Sequence, residues 1–168
     1  MSEQDAAGRE TEWERDEDAV ALVYGSILTG AAVVAASKIG HDPGMEIVYT
    51  TVTMVVIWIA HSYAAFVGVG GRLEDGRAGL RLARVSKDEL PVLASVVPVV
   101  VAMAISWALG GDAATTAYIG LAVAIAVMCV LAARAAGEAG ADRGGQVVAA
   151  AGALVLGGLL IAAKVALK

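Results

Sequence analysis

Five uninterrupted apolar runs, at about 19–37, 47–70, 90–110, 113–136 and 146–167, limit this chain more than any other feature. Each has the roughly 20 residues that a helix needs to cross the hydrocarbon of a bilayer. Hydrocarbon offers no water to exposed backbone groups, so a spanning segment must be a helix or part of a closed barrel. Barrel strands alternate apolar and polar residues over about 10 positions, and these runs do not alternate. The expected fold is all-α: an acidic N-terminal tail over 1–18, then a polytopic five-helix transmembrane domain over 19–168. Composition agrees, with 58% hydrophobic and 17% charged residues, against about 45–50% and about 25% in soluble domains. The first run is longer than a signal-peptide core and follows an acidic stretch, so it is expected to be a permanent helix.

Alanine contributes 36 residues and glycine 20, a third of the chain. Small side chains let membrane helices approach closely, where dispersion replaces the hydrophobic drive that lipid removes. Ser26–Gly30, Ala31–Ala35 and Ala153–Gly157 are pairs with the required four-residue spacing. The net charge of −5 and the low isoelectric point argue against nucleic acid as a partner, and the single Cys129 rules out a disulfide scaffold.

Basic residues set the expected orientation. With five spans, Arg9, Arg15, Arg72, Arg77, Arg81, Arg84, Lys87, Arg134 and Arg143 share one side, against Lys38, Lys164 and Lys168 on the other. Nine against three places the N-terminus in the cytoplasm and the C-terminus outside. Tyr24 and Tyr63 then fall near the inner interface, and Tyr49, Trp107 and Tyr118 near the outer one, as aromatic belts do.

The connections are short except the second. His41-Asp42-Pro43-Gly44 and Gly110-Gly111-Asp112 are turns, rich in residues that fix or free φ. Arg77–Lys87 puts Arg77, Arg81 and Arg84 on one helical face and Ala78, Leu82 and Val85 on another. This is expected to be a short interfacial helix whose arginines meet anionic lipid headgroups. Ser86-Lys87-Asp88-Glu89 has the spacing of a capping box opening the third span, and Pro98 should kink that span.

His61 is the one ionisable side chain deep inside a run, and such a residue is by default a functional candidate. It lies about 21 Å along the second helix. Helical spacing joins it to Thr50, Thr51, Met54 and Trp58, the candidate pathway or proton-sensing residues. An imidazole exchanges protons near neutral pH, and Trp58, three residues away, could hold its charged form by a cation–π contact. The pair resembles the histidine–tryptophan arrangement of small viral proton channels. Weaker polar stripes are Ser26 and Thr29 on the first helix, Ser95 and Ser106 on the third, and Thr115 and Tyr118 on the fourth. Their ordinary use is to bond backbone carbonyls or to join helices. Arg134 and Lys164, close to helix ends, are expected to snorkel to water, and Glu46 to favour the positive end of the second helix.

Enzymatic readings have little to stand on. The two histidines and the lone cysteine lack metal-ligand spacing, no phosphate-cradling glycine motif is present, and no cofactor is expected. With Tyr24-Gly25-Ser26-Ile27-Leu28 and Trp58-Ile59-Ala60-His61-Ser62-Tyr63-Ala64, the chain resembles small, alanine-rich, five-helix bacterial integral membrane proteins of unassigned function. That resemblance implies the fold class and a bacterial plasma membrane, and no activity. The expectation is an oligomeric channel or transporter for protons, a small ion or a small solute. A non-catalytic scaffold or accessory subunit is the alternative, and a haem protein or other membrane enzyme comes third.

Overall fold

The computed structural model describes residues 3–39, 42–68 and 78–166. They form seven helices: α1 (Glu3–Ile39), α2 (Pro43–Gly68), α3 (Ala78–Asp88), α4 (Leu90–Ala94), α5 (Val96–Ala108), α6 (Ala113–Glu138) and α7 (Arg143–Ala166). Five segments are long and apolar enough to cross a membrane: Ala21–Ile39, Pro43–Gly68, Leu90–Ala108, Ala113–Glu138 and Arg143–Ala166. The protein is therefore a bundle of five membrane-spanning helices, with α4 and α5 together making the third span.

Boundaries differ from expectation by up to four residues, and the reason is capping. Asp42 accepts the N–H of Met45, Asp112 that of Thr115, and Asp142 that of Gly145. Each carboxylate thus closes free donors in a first helical turn, and α2 and α7 begin earlier than hydropathy alone suggests. The two preceding turns are alike. Gly110 at φ 85° and Gly140 at φ 84° take the left-handed conformation that glycine adopts without steric cost. The N–H groups of Gly110 and Gly111 bond Trp107 and Ser106, and those of Gly140 and Ala141 bond Gly137 and Ala136.

One local expectation fails and one is refined. No capping box opens the third span: Ser86, Lys87 and Asp88 belong to α3, and Glu89, the N-cap of α4, makes no side-chain cap bond. Pro91, in the first turn of α4, starts that helix by its preset φ instead. The third span is interrupted at Ser95, between α4 and α5. Pro98 has no N–H for the Ala94 carbonyl and its ring crowds that group, so the irregularity falls one turn before the proline. The acidic stretch before the first span is helical from Glu3, in continuity with that span, as α1 runs for 37 residues, about 55 Å.

α1 is the central element, packing against α2, α4, α5, α6 and α7. Its buried side meets α5 and α6 in a core of Val33, Val34, Val99, Met103, Ala117, Leu121 and Ala124. A second cluster joins Ala32, Met54 and Val96. Close approach depends on small residues. A Cβ on Gly25 would lie 2.7 Å from the Val92 carbonyl oxygen, and one on Gly157 would lie 2.6 Å from the Ile125 side chain. Ser26, Gly30, Ala153 and Gly157 are buried as contact residues should be, whereas Ala31 and Ala35 are exposed. A four-residue spacing reports that two residues share a face, not which face is packed.

Candidate functional site

The buried residues of α2 are Glu46, Thr50, Met54, Ser62 and Phe66. They lie on the line of every fourth position, the ridge that winds slowly around a helix, with half-buried Trp58 in the one gap. From Glu46 to Ser62 the line covers about 24 Å, most of a bilayer's hydrocarbon. Three oxygens on it, Glu46 Oε2, Thr50 Oγ1 and Ser62 Oγ, are buried and have no hydrogen-bond partner among the described residues. Such a group costs about 1–3 kcal/mol unless something outside the protein satisfies it, and water or an ion is the usual partner.

Between Thr50 and Ser62 the polar line is continued from neighbouring helices. Thr29 of α1 donates to its own Gly25 carbonyl, lies 3.2 Å from Ser95 Oγ and reaches Met54 Sδ at 3.6 Å. Thr29, Ser95 and Met54, three of the expected candidates, thus meet at one point in mid-bundle. Ser95 stands where the third span is interrupted, and its hydroxyl also bonds the Val92 carbonyl.

The other candidates are dispersed. Thr51 bonds the Ile47 carbonyl and Ser26 the Leu22 carbonyl, each within its own helix. Ser106 pairs with Thr116 at 3.2 Å. Thr115 instead donates its N–H to the Asp112 cap and is exposed. The hydroxyl and N–H of Thr115 hold the Asp112 carboxyl below its ordinary value. Tyr118 lies under the Lys164 ammonium, 4.4 Å from ring centroid to Nζ.

His61 and Trp58 both face the junction of α3 and α4. Trp58 Nε1 donates to the Ser86 carbonyl at 3.2 Å. His61 Nε2 is 3.4 Å from Glu89 Oε2, and its ring packs 5.7 Å from that of Tyr24. The His61 side chain is 42% exposed. Both residues therefore tie α2 to the connection that brings in α3. Of the headgroup candidates, Arg84 is exposed on α3, Arg77 lies outside the described residues, and the Arg81 side chain does too.

The opposite end of the bundle holds two buried ionisable side chains, Glu46 and Lys164. Glu46 stands in the first turn of α2, as expected, and is 2% exposed; Lys164 is 5% exposed and does not snorkel to water as Arg134, exposed on α6, can. Glu46 feels the attraction of Lys164 and the repulsion of Asp112 and Asp42. The helices that carry the pair, α2 and α7, do not pack against each other. With Tyr118 of α6 beneath the ammonium, this end gathers α2, α6 and α7 around two buried charges. Glu46, Ser62, Thr116 and Lys164 are the residues missing from the sequence-based set. Glu46 and Ser62 could have been found by extending the four-residue line from Thr50 in both directions. Comparison with family models, with curated proteins and with solved structures gives no match to this chain.

Proposed function

We propose that this integral membrane protein moves protons, or another small polar species, along the buried side of α2. The observation that carries the reading is the set of unpartnered oxygens at Glu46, Thr50 and Ser62. Supporting it, Thr29 and Ser95 bridge the apolar gap at Met54, so polar groups recur from one end of α2 to the other. His61, half-exposed, and Glu89, more buried, stand at the α3 end of this line. Buried hydroxyls without protein donors or acceptors are costly, and a mobile polar species passing along α2 would satisfy them in turn.

The proposed orientation has the N-terminus and the basic second loop in the cytoplasm of a bacterial cell, with Arg77, Arg81 and Arg84 toward anionic headgroups. The proposed working form is a homo-oligomer, because five slender helices leave little room for a wide interior. The test is reconstitution of the full chain, alone, into liposomes. Imposed gradients of protons, sodium, potassium and a glycerol-sized solute are followed with entrapped dyes and light scattering. Proton or solute entry faster than in protein-free liposomes supports the reading. Equal rates for every species refute it and leave the alternative of a scaffold or accessory subunit.

A further inference from the structure

Glu46 and Lys164 lie at the end of the bundle that holds the 109–112 turn, and nothing in the packing of an alanine-rich bundle requires charges there. We propose that Glu46 is a proton-binding site and that Lys164 is its built-in counter-charge, so that the carboxylate is balanced by the ammonium when empty and by a proton when occupied. This deepens the transport reading and rests on it for the direction in which the proton travels.

The geometry supports the assignment in three ways. First, the carboxylate is 98% shielded from solvent, as its 2% exposure states, and Oε2 accepts no hydrogen bond. A bare carboxylate is acceptor-only, and protonation turns the orphaned oxygen into a donor. Thr50 Oγ1, one turn further along the same line and likewise unpartnered, is the next oxygen on that line. Secondly, charges of both signs surround the carboxylate. Lys164 of α7 favours the anion, whereas Asp112 before α6 and Asp42 before α2 oppose it; α1 ends at this side in exposed Lys38. Thirdly, Lys164 keeps a partner in both states. When Glu46 is neutral, the Tyr118 ring 4.4 Å away still holds the ammonium, and such contacts strengthen when water is excluded.

A proton fits better than a metal cation. Hard cations require several oxygen ligands, and among the described residues no group of three or more His, Cys, Asp or Glu is placed to hold one. An ammonium already occupies the neighbourhood and would repel a second fixed cation. A proton requires a single oxygen. The step is a simple transfer: an O–H bond forms at Oε2, one breaks in hydronium, and a water molecule leaves.

The test is labelling of the full chain in liposomes with dicyclohexylcarbodiimide, which partitions into apolar sites and adds covalently to protonated carboxyls, read by peptide mass spectrometry. Glu46 should be modified, more at about pH 6 than at about pH 8. Glu46→Gln should abolish modification and slow proton entry by about tenfold or more, while Glu46→Asp, which keeps a carboxyl, should retain modification. Lys164→Met should raise modification about threefold or more at neutral pH. The inference is overturned by three results: an unmodified Glu46 at every pH from about 5 to 8, modification indifferent to Lys164→Met, or protection by sodium or potassium at constant pH. Modification without proton entry in wild type refutes the transport reading and upholds the proton site. Proton entry without modification does the reverse.

Discussion

Gly25→Ala adds one methyl group where α1 crosses α4. The new Cβ would meet Ser95 Oγ at 2.6 Å, the Val92 carbonyl oxygen at 2.7 Å and Val92 Cα at 3.0 Å. The serine hydroxyl can rotate away, but two of the three atoms are backbone of a packed helix. Restoring the carbonyl contact from 2.7 Å to about 3.5 Å asks the helices to part by about 0.8 Å. The Thr29–Ser95 contact, already 3.2 Å, then passes beyond bonding distance. Overpacking costs about 1–3 kcal/mol and loss of an interhelical hydrogen bond in membrane about 0.6 kcal/mol. The sum, about 1.5–3.5 kcal/mol, corresponds to a fall in Tm of about 3–14 °C for a chain of this size. Thermal unfolding in mild detergent is the assay, with Gly152→Ala and Gly158→Ala as references because nothing lies within 4 Å of their added methyls. Gly157→Ala, against the branched Ile125 side chain, should resemble Gly25→Ala, and Gly120→Ala, against flexible Met103, should cost less. A Gly25→Ala protein that melts within about 1 °C of wild type would refute the close packing of α1 on α4.

Three further outcomes follow from the same contacts. Trp58→Phe removes the bond to the Ser86 carbonyl and should cost about 0.5–1.5 kcal/mol; faster amide exchange confined to α3 checks it, and unchanged exchange counts against the anchor. His61→Ala breaks a half-exposed contact with Glu89 worth at most about 1 kcal/mol, so a Tm loss as large as that of Gly25→Ala would mean His61 is buried in a way the geometry does not allow. Asp112, whose carboxyl is held low by Thr115, stabilises the fold above the ordinary carboxylate value, and that contribution disappears as pH falls through the lowered one. Acid titration of Asp112→Asn should show less loss of stability below about pH 4 than wild type, and parallel curves would contradict the cap.

Much of the architecture was legible because hydropathy is a one-dimensional property. Five apolar runs gave five spans, and the break in periodicity over Arg77–Lys87 gave α3 to within a residue or so of Ala78–Asp88. The capping box was misjudged because the same four letters can continue one helix or begin the next, and Pro91 settled the matter. Lys164 was misplaced for a different reason. Depth along α7 allows it to reach water, but the face of α7 turned toward Tyr118 does not, and no local pattern states which face packs. Glu46 met the same obstacle, since its electrostatic partner is 118 positions away in the chain (164 − 46). His61 drew attention as a lone ionisable residue, yet the buried line along α2 passes through its neighbour Ser62.

A route along α2 requires the orphaned hydroxyl of Thr50 to serve the moving species. Thr50→Val keeps the shape and removes only Oγ1, which has no protein partner. Proton entry into liposomes is the measurement, taken with the Tm of the same preparation. Loss of an unsatisfied buried hydroxyl should leave stability equal or higher, while proton entry should fall about tenfold or more because the next oxygen after Glu46 is gone. Wild-type proton entry in Thr50→Val, in a protein that folds and reconstitutes normally, would contradict a route along α2.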